Sequence, residues 1–494
     1  PVRETRVPAS SAYFGHNCDL CGDVKNGCAQ LQSRKFNQGG GCQLNLAIGI
    51  VSSFSNAVVI VHSPLGCSSG MLGSGGMRKS MRASKGKPAE DFVWLHTNMT
   101  ESDVVHGGID KLRRAIYYAE KQYRPEVILI ANGCVPGIIG DDIDSLATEL
   151  NDRLTAKIVP VHCEGLKSRF VASGYDSAYH AVIRHLVEPI EDYEPAFPDE
   201  ERDALKRYNI SRTVNIFNVG SNSATDEAEL SRLVAALGLI PRVLPLHSSL
   251  DDLGHISEAA LNVSICATHD DYLLGHLKER YGIPYIIDTL PIGTRSVGRW
   301  LRAIAKEFDL EETAERVIAQ EEAKLNEALE PIRKQLAGKS VYVGGGELRI
   351  ITTADFFSHD LGMKLLGVKA HHADGFITDL LEDLLDPNLQ IQIGAGQPAE
   401  ELALLLKLKP SLYVGHGGAN GWTTRLGIPS IPLYGQTLNY MGYSGAFELA
   451  RKASKALKNT NFAKAVSANV GLPLSKEWFE SDITKNIKET ETVG

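Results

Sequence analysis

The sequence predicts an α/β fold of several doubly wound, parallel-sheet units, and two observations carry that prediction. Short apolar runs recur along the 494 residues, with helical patterns between them. The runs are continuously apolar and do not alternate, as expected of strands covered on both faces of a parallel sheet. The length corresponds to about three domains of ordinary size. A content of 43% hydrophobic and 22% charged residues suits a globular chain with large cores.

The first expected strand is Ala57–Val61, and Val127–Ala131 and Lys157–Val161 follow it, with a helical pattern at Asp110–Tyr123 between the first two. Residues 188–213, rich in proline and acid, read as a boundary before Val214–Val219, Val263–Cys266 and Tyr285–Ile287. A helical pattern at Tyr272–Tyr281 separates the last pair. A long charged helix at 311–337 stops at Gly338, a natural terminator, before Val341–Val343, Leu412–Gly415 and Ile431–Tyr434. Cuts near 205 and 338 give an N-terminal extension at 1–40 and domains at 41–205, 206–337 and 338–494.

A formal net charge of -9 gives no electrostatic case for nucleic acid or an anionic membrane. No stretch approaches the roughly 18 apolar residues of a membrane helix. The opening PVRETRVPASSAYFGHNCDL lacks the apolar core of a secretion signal, so cytoplasm is the expected compartment. There the eight cysteines are expected to be buried thiols or metal ligands and not disulfides.

Open parallel sheets bind ligands outside the carboxyl ends of their strands. Cys67 follows the 57–61 strand through a Pro/Gly turn (HSPLGC), and Cys134 follows the 127–131 strand as NGCVPG. Cys266 closes its strand as VSICATHDD, and Cys42 sits in NQGGGC ahead of a helix-like run. Glycine beside Cys42, Cys67 and Cys134 lets backbone approach a bulky object and offers amide donors to inorganic sulfide. One buried cysteine is ordinarily a small hydrophobe; four, three of them beside glycine and three at strand ends, point to a metallocluster. Cys163, with no glycine before it, reads as structural. Cys18, Cys21 and Cys28 have the spacing of part of a metal site, which would need a fourth ligand from elsewhere.

Other chemistries lack their motifs: the chain has no G-x-S-x-G elbow, no phosphate loop and no H-E-x-x-H helix. The GGGELR stretch lacks dinucleotide spacing, and the helix pattern after it is poor. It suits a Gly-rich loop against a ligand, with Gly345 and Gly346 at the contact and Arg349 supplying positive charge.

Together these segments resemble the α-type subunits of the nitrogenase component 1 superfamily over essentially the whole chain. VHSPLGC is similar to that family's V-H-G-P-x-G-C, NGCVPGIIGDDID to its C-P-x-x-L-I-G-D-D, and TESDVVHGGIDKL to its E-x-D-x-x-x-G-G-x-x-K-L. IVPVHCEG, CATHDDYLLGHLKERYGIPYI and LGIPSIPLYGQTLNYMGYSGAFELARK match in order and spacing as well. The resemblance implies three Rossmann-like domains with a metallocluster buried between them. It makes Cys42, Cys67 and Cys134 ligands of a P-cluster-type iron–sulfur cluster at a subunit interface. A homologous β (K-type) subunit would supply the other ligands in an α2β2 assembly. Cys266 would bind a terminal iron of a large, eight-iron, nitrogenase-type iron–sulfur–carbide cofactor. An ATP-dependent Fe protein with a 4Fe-4S cluster would deliver electrons.

Departures from the family pattern bear on function. Tyr434 stands where the dinitrogen reducers carry the histidine that caps the heterometal end of the cofactor. Tyr175 replaces the catalytic histidine after C-E-G, and Val171 replaces a glutamine. SSGMLGSGG lacks the arginine expected after the cluster cysteine. These changes argue against dinitrogen reduction.

Two kinds of family member remain. The HNCDLCGDVKNGC leader and NQGGGC lean toward the cofactor-assembly scaffold, a binding protein without turnover. His371 and His372 in VKAHHADGF and His416 in YVGHGGANGW lean toward the reductases that cleave the carbon–sulfur bond of small methylthio-alkanes and release methanethiol. A histidine beside glycine is more often solvated or hydrogen-bonded than a ligand, and His371 and His372 keep that reading; His416 stands at a strand's carboxyl end. The first expectation is therefore the reductase α subunit acting on a small thioether, with His416, Tyr434, Gln436 and Tyr175 as candidate catalytic residues. The scaffold is the alternative, and a chlorophyllide-type reductase would leave Cys266 unexplained. His62 and His162 follow the family pattern as structural or cluster-adjacent hydrogen-bonders.

Overall fold

The computed structural model describes residues 12–26, 32–34, 41–71, 83, 93–168, 170–188, 200–218, 223–287, 289–394, 397–415, 417–433, 439–472, 475–480 and 487–489. Strands β1 (Ala12–His16) and β2 (Gln32–Arg34) precede three parallel sheets. The first sheet contains β3 (Ala57–His62), β4 (Val93–His96), β5 (Val127–Asn132) and β6 (Lys157–His162), in the order β4-β3-β5-β6. All its pairings are parallel. Successive residues of one strand point to opposite faces, and both faces are covered. Val59, Val61, Leu129 and Ala131 pack with the Gln43–Val51 and Ser173–His185 helices. Val58, Ile60, Ile128 and Ile130 pack with the Ile109–Tyr123 and Ile143–Asn151 helices. Hence these strands are apolar without alternation.

The second sheet, also parallel, contains β7 (Thr213–Asn218), β8 (Ile240–Pro245), β9 (Leu261–Ser264) and β10 (Tyr285–Ile286), in the order β10-β9-β7-β8. The third contains β11 (Ser340–Gly345), β12 (Lys364–Ala370), β13 (Gln390–Gly394), β14 (Leu412–Gly415) and β15 (Ser430–Pro432). Its order is β1-β13-β12-β11-β14-β15, parallel except for β1. A last strand, β16 (Ile487–Glu489), pairs antiparallel with β2. The 26-residue helix Glu311–Leu336 joins the second and third sheets and ends before Gly338, whose φ of 75° only glycine adopts freely.

Several elements differ from the sequence expectation for physical reasons. The sequence does not announce β8, β12 and β13, because IPRVLP, KLLGVKA and QIQIG carry charge, proline or amide groups, or β4, because VWLH is only 4 residues long. In β12 and β13 those groups are buried with partners: Lys369 Nζ lies 2.6 Å from Glu401, and Gln392 donates to Glu400 at 3.2 Å. β9 ends at Ser264, so Cys266 stands beyond its strand as the N-cap of the Ala267–Tyr281 helix. The GGGELR stretch does open a helix, Glu347–Asp355, against the poor pattern read there. All nine of its residues are buried, so it has no polar face to mark its period.

The expected N-terminal extension is not separate from the sheets. Its β1 forms an edge of the third sheet. The Asn17–Lys25 helix then docks through Asn17 Nδ2, which donates to the Leu381 and Leu385 carbonyls at 3.0 and 3.3 Å. Among the described residues no helix is long and apolar enough to cross a membrane.

Candidate functional site

Three cysteines meet at the carboxyl end of the first sheet. Cys42 caps the Gln43–Val51 helix, Cys67 lies in the 3-10 turn Leu65–Met71 after β3, and Cys134 opens the Cys134–Ile139 helix after β5. A Cβ at Gly165 would overlap the Cys42 sulfur and lie 3.5 Å from the Cys134 sulfur, so both thiols converge on that bare stretch of backbone. Burial raises the Cys67 pKa, the Ser63 side chain opposes the shift, and the nearby Cys134 and Cys42 thiols add to it. Gly133 is fixed in the same way: its Cβ would stand 2.7 Å from that of Ser63.

A buried histidine ties the two strand-end turns together. His62 Nε2 lies 3.0 Å from Asp141 Oδ2, and its Nδ1 lies 3.1 Å from the Thr97 hydroxyl. The Gly108 amide donates to both Asp141 oxygens at 3.0 Å, and the Gly133 amide donates to the His62 carbonyl at 2.9 Å. Burial lowers the His62 pKa against the opposing pull of Asp141. His162 stands half-exposed, 2.9 Å from Asp144 and 3.6 Å from Glu164. Glu164 is buried, and burial alone would raise its pKa. Bonds from His162, Lys167 and Asn132 outweigh that and hold it at about 2. The Glu164 carbonyl accepts from Gln43 Nε2, which fixes the start of the Cys42 helix. Cys163 is wholly buried, with its sulfur 3.5 Å from the Asn132 carbonyl and its pKa pushed far up by burial.

Among the described residues, no three His, Cys, Asp or Glu side chains converge tightly enough to hold a single metal ion. Three thiols around a glycine backbone suit a larger cluster, whose iron atoms are spread apart and whose sulfides accept from amides. The thiols are only partly buried. Around them Leu65 (63% exposed), Ile138 (69%), Leu166 (71%) and Val105 (76%) present apolar side chains to the exterior. Exposed apolar side chains of this kind suit a surface that another protein covers.

The fourth cysteine precedes a turn that ties the sheets together. The Cys266 amide donates to Ser264 Oγ at 2.9 Å. Thr268, His269 and Asp270 contact two neighbouring helices. Thr268 donates to Glu347, the first residue of the helix after β11. The His269 ring lies 4.1 Å from that of Tyr175 in the Ser173–His185 helix. Asp270 accepts from Tyr179 of the same helix at 2.7 Å and from Ser264 at 2.6 Å. Glu347 also accepts from the Asp374 amide at 2.8 Å and lies 3.5 Å from His372 Nε2.

Other candidate residues fall around this point. Gly345 ends β11, and Gly346 caps the following helix with open space where its Cβ would be. Arg349 does not point its charge into that space: its Nη1 donates to the Tyr440 hydroxyl at 2.5 Å and its guanidinium lies 5.4 Å over the Tyr440 ring. Tyr175 is buried between His269 and Tyr179, whose ring is 6.2 Å away. Val171 covers Gly41, where a Cβ would meet its methyl at 2.6 Å. His371 is half-buried. His416, Tyr434, Gln436 and Cys28 lie outside the described residues.

The sequence pattern described as Nitrogenase component 1 type Oxidoreductase matches residues 42–458. The chain belongs to this family. It is 29% identical over 456 residues to the nitrogenase iron-molybdenum cofactor biosynthesis protein NifE of Rippkaea orientalis, covering 90% of each chain. It is 27% identical over 476 residues to the nitrogenase molybdenum-iron protein alpha chain of Methanosarcina barkeri, covering 84% of this chain and 85% of that one. A solved structure titled Nitrogenase Cp1 at pH 5 superposes with a TM-score of 0.70 at 21% identity, over 90% of this chain and 92% of the other. That likeness shows the α/β fold of several parallel sheets that the sequence predicted.

In this nitrogenase component 1 chain the leader cysteines do not form a pair. Cys18 is exposed, whereas Cys21 is buried in the core and burial pushes its thiol up to about 11. Sequence reasoning missed Ser264, Thr268, His269, Asp270 and Glu347. The one available signal was a run of polar residues directly after a strand-end cysteine, in CATHDD.

Proposed function

We propose that this chain is the α-type subunit of a nitrogenase-like reductase that cleaves the carbon–sulfur bond of small, neutral methylthio-alkanes. In this reading Cys42, Cys67 and Cys134 hold their half of an interface iron–sulfur cluster, and Cys266 holds a larger iron–sulfur cofactor. When bound, these groups supply two electrons, which with two protons turn a methyl thioether into an alkane and methanethiol. The observation that carries the reading is the anchoring of Cys266. Thr268, His269 and Asp270 attach its turn to Glu347, Tyr175 and Tyr179, on elements of the third and first sheets. A cofactor held at such a point, between elements of different sheets, would be a resident one.

Charge near Cys266 favours an uncharged substrate. Glu347 and Asp270 are acidic and buried there, and the Arg349 guanidinium, still charged, is turned to the Tyr440 hydroxyl and ring. An anionic ligand would meet like charge at that wall. Tyr175 and Val171, at positions where the resemblance led us to expect histidine and glutamine, further separate this site from the dinitrogen reducers. The apolar rim of Leu65, Val105, Ile138 and Leu166 suits a homologous β subunit that brings the remaining cluster ligands, in an α2β2 assembly. An Fe protein would reduce that assembly at the cost of ATP, in the cytoplasm.

The similarity to NifE of Rippkaea orientalis supports a second reading, in which the chain holds a cofactor precursor and passes it on. One experiment separates the two. The metallated complex with its β partner and Fe protein is incubated with ATP, reductant and either dimethyl sulfide or 2-methylthioethanol, and methanethiol is measured in the headspace. Sustained release supports the reductase. No product from a fully metallated sample rejects it, and transfer of the cofactor to a cofactor-free nitrogenase then supports the scaffold.

A further inference from the structure

Asp270 is wholly buried, and its carboxylate is the centre of a closed hydrogen-bond chain. The Cys266 amide donates to Ser264 Oγ at 2.9 Å, which leaves the Ser264 hydroxyl proton to go to Asp270 Oδ2 at 2.6 Å. The Tyr179 hydroxyl donates to the other oxygen, Oδ1, at 2.7 Å. The Asp270 amide donates back to the Cys266 carbonyl at 3.4 Å. Tyr179, Ser264 and Asp270 are each at most 1% exposed. Two short hydroxyl donors, one on each oxygen, satisfy an ionised carboxylate, and so does the positive end of the Ala267–Tyr281 helix, in whose first turn it sits. The network joins three elements: β9, the helix that begins after Cys266, and the Ser173–His185 helix.

We propose that Asp270 is a positioning residue for the Cys266 ligand: through Ser264 it fixes the cysteine's turn, and its buried negative charge lowers the potential at which the Cys266-bound cofactor is reduced. This inference rests on the reading of Cys266 as a cofactor ligand. The physical argument is direct. Electrons added to a cofactor next to a fixed anion are repelled, and around a carboxylate that is itself wholly buried that repulsion is less screened than in water. Hydrogen bonding and charge in the shell around a ligand tune the group it holds. Tyr179 moderates the effect by sharing its proton with the carboxylate, so the two residues act with opposite sign.

The test uses the full complex with its β partner, purified anaerobically after cofactor loading, and reads iron content and the midpoint potential of the cofactor by a dye-mediated titration followed by electron paramagnetic resonance. Asp270→Asn keeps shape and removes charge; it is expected to retain iron and shift the cofactor midpoint upward, leaving the interface cluster unmoved. Tyr179→Phe removes one donor and keeps the charge; it is expected to retain iron and shift the midpoint downward. An unchanged midpoint in an iron-replete Asp270→Asn complex overturns the proposal. If Asp270→Asn fails to load, Tyr179→Phe decides alone, and an unchanged midpoint there overturns it. Cys266→Ala is run in parallel. Retention of both clusters by that variant rejects the ligand reading itself, whatever Asp270 does.

Discussion

Gly165→Ala places a methyl group where the Cys42 sulfur now lies, and 3.5 Å from the Cys134 sulfur. Carbon and sulfur in ordinary contact stand at roughly 3.5–4 Å, so the Cys134 contact is tolerable and the Cys42 overlap is not. Cys42 has little room to retreat. It caps the Gln43–Val51 helix, and that helix start is pinned by Gln43 to the carbonyl of Glu164, the residue next to the new methyl. Overpacking of this kind costs about 1–3 kcal/mol, which a chain of this size survives. On the proposed reading, a displaced Cys42 sulfur by contrast removes one of this chain's three attachments to the interface cluster. The expected result is a folded protein, lower in melting temperature, whose partnered complex has lost interface-cluster iron and its spectrum. A matched control lies on the same helix. Gly49 has nothing within 4 Å of its Cβ position, so Gly49→Ala is expected to keep full iron and to gain about 0.5–1 kcal/mol from helix propensity. Full iron and a native spectrum in Gly165→Ala would refute the idea that these sulfurs face the cluster across Gly165.

Three further outcomes follow from the same geometry. Burial lowers the His62 pKa below its ordinary 6.5, so the folded state binds a proton less readily than the unfolded chain. The contribution of His62 to stability is therefore complete above 6.5 and is lost as pH falls toward the folded value. Denaturant titrations should show the gap between wild type and His62→Gln narrowing as pH drops below 6.5, and a constant gap would contradict this. Glu347→Ala removes a buried acceptor of the Thr268 hydroxyl and the Asp374 amide. It is expected to cost about 3 kcal/mol and to reduce loading of the Cys266 cofactor, read as iron per complex. Tyr440→Phe removes the partner of a charged donor, Arg349. It is expected to cost about 1.5–3 kcal/mol with iron content unchanged; a loss of cofactor iron would return Arg349 to a role in binding the cofactor.

The ligand candidates were legible and their supports were not, for one physical reason. A thiol that must leave the core toward a bulky inorganic group needs a strand end and a neighbour without a Cβ, and both are local in the chain. Cys67 after β3 and Cys134 after β5 show this, each within a few residues of glycine. Asp270 and Tyr179 are 91 residues apart, and Thr268 and Glu347 are 79 apart. No window of sequence contains both members of either pair. The missed strands have the same origin. Lys369 in β12 argues against a buried strand until Glu401, 32 residues later, is seen to meet it. Helix periodicity failed at Glu347–Asp355 because a helix buried all round has no polar face. In each case a polar residue was buried where the local pattern forbade it, and its partner came from another element. Four such places lie close to Cys266 in sequence or contact: Ser264, Thr268, Asp270 and Glu347 are all buried polar groups. On the proposed reading, a polar residue that local rules cannot explain, next to a strand-end cysteine, is a sign of the shell around a ligand, and CATHDD is such a run in the sequence.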